Sequence, residues 1–179
     1  MAGIESDMLI TSGGVSRGDY DMVKDVLAEM GQIRFWTVRM KPGKPLAFGT
    51  LRRKDGRNIP HLGLPGNPVS TMITFEQFAR PAILKMQGGL DFGRPTVEAV
   101  MEGEIVNDDG RRVYARVHVH RTGEEWHASL TGAQGSGILS SMAAANGLAI
   151  VPEECAIVRA GDRLKVLVLD SNLYAGKRG

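Results

Sequence analysis

Three short stretches in the first half of the chain carry residues suited to holding an anion. The first runs from Ser12 to Asp21, Ser-Gly-Gly-Val-Ser-Arg-Gly-Asp-Tyr-Asp. Its Gly13 and Gly14 let the backbone approach a ligand closely with N–H groups turned outward, and a helix N-terminus just beyond adds partial positive charge. Ser12 and Ser16 supply hydroxyl donors. Asp21 falls in the first helical turn, where a carboxylate caps the helix or holds a divalent ion bridging to a phosphate. The second stretch, Lys41-Pro-Gly-Lys-Pro45, sets Lys41 and Lys44 in a proline-stiffened loop, as point charges for a phosphate or oxyanion or simply as a solvated turn. The third is Gly63-Leu-Pro-Gly-Asn-Pro-Val-Ser70. Here Asn67 is a preferred N-cap, Pro68 suits the first helical position, and Pro65-Gly66 forces a tight turn. Alone, it is a well-made helix start.

These stretches need elements to carry them. Met8–Ile10 reads as an apolar strand feeding the first. A helix from about Asp19 follows, with Tyr20, Val23, Leu27 and Met30 at helical spacing and Gly31 as its stop. Ile33 to Met40 is a strand by β-branched and aromatic content and ends in the lysine loop. Leu46–Leu51 and Ile59–Leu64 read as a hairpin whose tip, Arg52 to Arg57, carries an Asp55-Gly56 turn and solvated basic residues. From Pro68, the residues Val69, Met72, Phe75, Ala79, Ala82 and Met86 share one helical face. Pro81 kinks or splits that helix and Gly88-Gly89 ends it. Two strand–turn–helix junctions at one edge of an open α/β sheet open onto the crevice where ligands bind.

Beyond Asp91–Pro95, a Gly/Pro linker, the period changes to two. Strands are expected at Thr96–Ile105, Arg112–His120, Glu125–Leu130, Gly147–Val151 and Asp162–Leu169, with a short helix over Ile138–Ala145, a pattern that suits a small barrel. His118 and His120 share a strand face that His127 could join, a zinc pattern lacking an obvious acidic fourth ligand, or else barrel-wall residues. Cys155 reads as a small buried hydrophobe. Over 179 residues the formal charge is +2, which suits an anionic small molecule and is too mild to argue for nucleic acid. The basic hairpin tip also lacks the interleaved aromatics of a nucleic-acid surface. A single cysteine excludes an internal disulfide. With no long apolar run or signal peptide, no membrane span is expected and the cytoplasm is the default.

The ordered set Ser12–Asp21, Lys41–Pro45 and Gly63–Ser70 resembles the molybdopterin molybdenumtransferases, the MoeA and gephyrin E-domain family of molybdenum-cofactor synthesis. The resemblance runs along the whole chain, more loosely in its second half. It implies an α/β fold in which residues 1–90 are the later part of a molybdopterin-binding, MogA-like domain, and residues 95–172 are a small all-β barrel. It implies insertion of molybdate into adenylylated molybdopterin with release of AMP, with Mg2+ as cofactor. Asp21 corresponds to an acidic residue handling ligand or Mg2+, Lys41 to a basic residue of the active site, and Pro65 and Pro68 to the prolines shaping a molybdate pocket. Ser12, Gly13, Gly14, Ser16, Lys44, Gly66 and Asn67 complete the anion-binding set, and Arg116 and Ser136 correspond to polar residues of the last domain turned toward the cleft. Thr37 stands where many members carry a lysine, with Arg39 nearby as a substitute. A Thr-Gly-Asp-Glu-type loop upstream and the two N-terminal domains have no counterpart here. The expectation is therefore a C-terminal fragment or separately encoded half, acting as a homodimer or completed by the missing part. The alternative is a non-catalytic molybdopterin or anion-binding module, and a scaffolding role is the third class. Molybdate and tungstate are not distinguished.

Overall fold

The computed structural model describes residues 5–15, 29, 31–170 and 172–175, in two compact units, Met1–Leu90 and Asp91–Gly179. The first helix expected near Asp19, together with Ser16 and Asp21, lies outside the described residues.

The first unit is a mixed sheet of β1 (Leu9–Ser12), β2 (Gly31–Thr37), β4 (Pro45–Arg52) and β5 (Asn58–Leu64), in the order β1-β5-β4-β2. A two-residue strand, β3 (Met40–Lys41), precedes β4. β1 runs parallel to β5, with Ser12 opposite Leu64, whereas β4 pairs antiparallel with both β5 and β2. Parallel neighbours end at the same edge, so the first and third stretches leave the sheet side by side. Period-two alternation separates the faces. Leu46, Leu62 and Leu64 pack with Met8, Ile10, Phe75, Phe78 and Ala79, while Leu51 and Ile59 pack on the other face with Leu9 and Ile33. Burial of each such side chain is worth about 1.5–3 kcal/mol.

Two expectations are corrected. The strand anticipated over Ile33–Met40 breaks at Val38-Arg39, where the Val38 N–H donates to the Lys44 carbonyl at 2.8 Å and closes the loop. Gly31, expected as the stop of the preceding helix, follows the helical Glu29 by two residues and opens β2, which leaves that expectation standing. The helical run after Asn67 is α1 (Pro68–Thr74), a π-helical segment (Phe75–Ala79) and α2 (Arg80–Met86). Pro81 lies in the first turn of α2, so its missing N–H is absorbed where the hydrogen-bond register changes, not by a sharp break.

The second unit contains β6 (Thr96–Met101), β7 (Ile105–Val106), β8 (Arg112–Thr122), β9 (Glu125–Leu130), α3 (Leu139–Ala143), β10 (Gly147–Val151), β11 (Ile157–Val158), β12 (Arg163–Val168) and α4 (Asn172–Ala175). Strands β6, β9, β8, β10 and β12 close into a barrel, antiparallel except for the β6–β9 pair. Its interior is mostly small and β-branched, with Val97, Ala99, Val117, Val119, Ala128, Ala149 and Val166 among its members, which suits a narrow bore. The strand expected over Thr96–Ile105 is interrupted by Glu102-Gly103-Glu104, and its last part pairs with β11 instead. Among the described residues no helix is long and apolar enough to cross a membrane.

Candidate functional site

The junction begins where β1 ends. Gly13 and Gly14 have φ of 90° and 74°, a region that only glycine enters without steric cost, and the chain turns there at once. The Gly13 N–H donates to the Leu64 carbonyl at 3.0 Å, carrying the β1–β5 ladder one step past the strand. Across from it, Pro65 is buried, Gly66 is exposed and Asn67 caps α1, its Oδ1 accepting from the Ser70 N–H at 3.4 Å. A Cβ added to Gly66 would sit 3.3 Å from the Gly13 Cα, so the two turns are in direct backbone contact.

Hydroxyl groups tie them further. The Pro65 carbonyl accepts from the Ser12 hydroxyl at 3.1 Å and also from the Thr71 hydroxyl. The two hydroxyl oxygens are 3.4 Å apart, and Thr71 also reaches the Asn67 carbonyl at 2.9 Å. Ser12 is thus engaged in holding the third stretch in place. Thr71 was not legible as part of this arrangement; the cue is a threonine four residues after an N-cap, on the turn side of the helix.

The lysine loop meets the same helix further along. Pro42 and Gly43 are buried, Lys41 is half-buried and Lys44 exposed. Gly43 has φ of 105°, and a Cβ there would lie 2.6 Å from the Thr74 Oγ1. Six residues of helix put Thr74 about 9 Å from Pro68. The loop is therefore fixed to α1 below its N-terminus, and the side chains of Lys41 and Lys44 must span the rest.

His61 is the principal residue that sequence reasoning missed. It is fully buried on β5, its Nε2 lies 3.1 Å from the Thr11 Oγ1, and its Nδ1 has no hydrogen-bond partner. Burial pushes its pKa below the usual histidine value, so the ring is held neutral. Its Cε1 lies 3.4 Å from where a Gly63 Cβ would be, and Ala47 Cβ and Val15 Cγ1 lie 2.9 Å from the same point. The packing beneath the Gly13-Gly14 turn therefore requires glycine at 63.

In the second unit, Arg116 is 1% exposed on β8, on the opposite side of the strand from Val117. Its guanidinium donates to the carbonyls of Gln134 (3.0 Å), Ala133 (3.1 Å) and Gly135 (3.0 Å) and to the Ser141 Oγ (3.0 Å). The Gln134 side chain pairs with the Arg116 backbone in both directions, at 2.8 and 3.2 Å, as a neighbouring strand would. Burial lowers the Arg116 pKa, yet guanidinium keeps its proton regardless. The residue holds the loop that presents Ser136, which is itself exposed.

Comparison with known proteins finds matches in both units. Residues 1–85 match the family described as a probable molybdopterin binding domain, and residues 98–169 match the MoeA C-terminal region, domain IV. The chain is 36% identical over 165 residues to the molybdopterin molybdenumtransferase of Haemophilus influenzae, with 90% of this chain aligned. It is 35% identical to the gephyrin of Dictyostelium discoideum over 92% of its own length. It spans 39% and 26% of the lengths of those two relatives. Among solved structures, a molybdenum cofactor biosynthesis protein from Pyrococcus furiosus superposes with a TM-score of 0.66 and 26% identity, over 92% of this chain and 49% of that one.

Proposed function

Because the chain belongs, through its two domains, to the family of molybdopterin molybdenumtransferases and gephyrins, we propose that it binds molybdopterin and takes part in inserting molybdate into the adenylylated form with release of AMP. The observation that supports this reading is the backbone contact between the Gly13-Gly14 turn and the Pro65–Asn67 turn at one sheet edge. The Gly13 N–H is spent on the sheet, so on this reading Gly14 is the one of the two glycines whose N–H a phosphate or oxyanion would meet. Pro65 and Pro68 bring no N–H of their own, and wall the turn with ring carbons. Lys41 supplies the positive charge that draws the anion, and Lys44 adds to it from the surface.

Molybdate insertion asks for little covalent chemistry from the protein. Fixed N–H dipoles and lysines that favour the charge of the reacting oxyanion act without reorganising during reaction. Mg2+ belongs to this reading through Asp21, whose carboxylate type suits that ion, and would supply polarisation of the phosphoanhydride. Homodimerisation, or completion by a further polypeptide segment, and a cytoplasmic setting belong to the same proposal.

Calorimetric titration of the purified chain with adenylylated molybdopterin, followed by assay of AMP release on adding molybdate and Mg2+, tests the reading. Saturable binding with AMP release supports it. Binding with no release makes the chain a binding module, and no binding overturns both. Asp21→Ala is expected to lower turnover, and Lys41→Ala to weaken binding of the anion.

A further inference from the structure

Among the described residues no three donors stand so as to hold a metal ion. The histidines of β8 and β9 are barrel-wall residues, with Glu102 at 3.4 Å from His120 and 3.5 Å from His127. The buried polar group that the proposed reaction leaves unused is His61. It lies fully buried in the middle of the first unit's sheet, with Leu9 opposite it on β1 and Gly49 opposite it on β4. Gly63, two residues further along β5, shares its face, so the ring has bare backbone beside it and ahead of it.

The ring leans along β5 toward the turn junction. Its Cε1 lies 3.4 Å from where a Gly63 Cβ would be, and its Nε2 lies 3.1 Å from the Thr11 Oγ1. Thr11 is directly opposite Gly63, two residues before the Gly13-Gly14 turn begins. Val15 returns from the turn, 6% exposed, and sets its Cγ1 2.9 Å from the same vacant point above Gly63. The limb that enters the turn is thus hydrogen-bonded to the imidazole, and the limb that leaves it packs over the same glycine. The Nδ1 atom has no hydrogen-bond partner. Burying it unmet carries a desolvation cost that phenylalanine would not, so the compensation lies in the Nε2 bond and in what that bond holds. Burial keeps the ring neutral, which leaves geometry and not charge as its contribution.

We propose that His61 is a positioning residue for the turn at the sheet edge: bonded to the Thr11 hydroxyl and packed with Val15 over Gly63, it fixes both limbs of the Gly13-Gly14 turn and so the direction of the Gly14 N–H. Its consequence for binding rests on the function proposed above, whereas its hold on the turn rests only on these contacts. Two adjacent glycines have wide backbone freedom, so a turn built on them keeps one shape only if its limbs are restrained. The Ser12–Pro65 and Gly13–Leu64 hydrogen bonds restrain it from β5 and the turn beyond. His61 adds the restraint from beneath. A ring that merely filled space would give way to phenylalanine with no effect on the turn.

Amide hydrogen exchange of the ligand-free full chain, followed by NMR, reads the turn directly. The Gly13 N–H, which donates to the Leu64 carbonyl, is the reporter, and the amides of the β2–β4 ladder are the control. H61F and the gentler T11V are each expected to speed Gly13 exchange about tenfold, the effect of one hydrogen bond, with little change in the control. The H61F/T11V double variant should be no faster than either single one, since both remove the same bond. H61Q, whose amide nitrogen can take the place of the ring Nε2, should keep exchange slow. By calorimetry, adenylylated molybdopterin should bind H61F and T11V about tenfold more weakly than it binds the parent or H61Q. Unchanged Gly13 exchange in both variants, or a rise matched by the control, overturns the proposal. So does unchanged affinity in the variants of a parent that binds. Faster Gly13 exchange in variants of a parent that binds no molybdopterin supports the role of His61 and overturns the proposed function instead.

Discussion

The turn junction of the first unit and the Arg116 loop of the second both hold irregular backbone against a sheet, by opposite means. At the junction, neutral groups suffice: two glycines allow contact, and two hydroxyls meet one carbonyl. In the barrel, a buried cation gathers three carbonyls and a hydroxyl, and Gln134 stands in for a missing strand. A site meant to receive an anion gains from leaving its fixed charge at the periphery and relying on shape at the centre. A loop meant to stay put gains from a centre with many donors. The first should fail when atoms are added, the second when they are removed.

Arg116→Ala gives the largest effect. Three carbonyls and a hydroxyl lose their donor, and the barrel wall gains a cavity, for an expected loss of about 3 kcal/mol in urea unfolding. Arg116→Lys recovers less than half of that, because an ammonium cannot reproduce the guanidinium fork. Gly63→Ala comes next, at about 2 kcal/mol by the same measurement, since the new methyl meets Ala47 Cβ and Val15 Cγ1 at 2.9 Å. If Gly63→Ala instead left stability unchanged, the junction would be looser than its contacts imply and the contrast would weaken. Gly66→Ala is milder, about 1 kcal/mol or less, as the turn shifts to relieve a 3.3 Å approach to Gly13. On the proposed function, calorimetry should nonetheless show molybdopterin binding reduced severalfold, since the shift falls on the turn proposed to meet the ligand.

The smallest effect is a slope. Burial favours neutral His61 in the folded state, so the unfolded chain, with its histidine near 6.5, takes up more protons below that value. Stability is therefore fully present above pH 6.5 and is lost as pH falls from there through the lower folded pKa. His61→Phe should flatten that part of the pH profile in urea midpoints.

Much of the junction was legible because its determinants are local. Asn67 and Pro68 announce a helix start from their own backbone preferences, and glycines after an apolar strand announce a turn. The parallel neighbours β1 and β5 then put both turns at one edge, as an open sheet requires. The contacts that escaped are those made by register. Thr11 meets His61 only because Leu9 pairs with His61 and not with a residue two places away. Gln134 and Asn146 each give a side-chain amide to a strand's backbone, and no spacing in the sequence marks an amide for that use. The same holds for Glu102, whose place beside His127 follows from the parallel β6–β9 pairing and from no motif.

One oxygen, that of Pro65, serves two hydroxyls, one from the end of β1 and one from α1. Positions 12 and 71 are consequently not free to drift apart over evolution. Loss of either hydroxyl changes the other's competition for a shared acceptor, so substitutions there should come in pairs across a collection of related chains. In a double-mutant cycle with alanine, the energies should be non-additive. Two turns that meet through a common atom are inherited as a single unit.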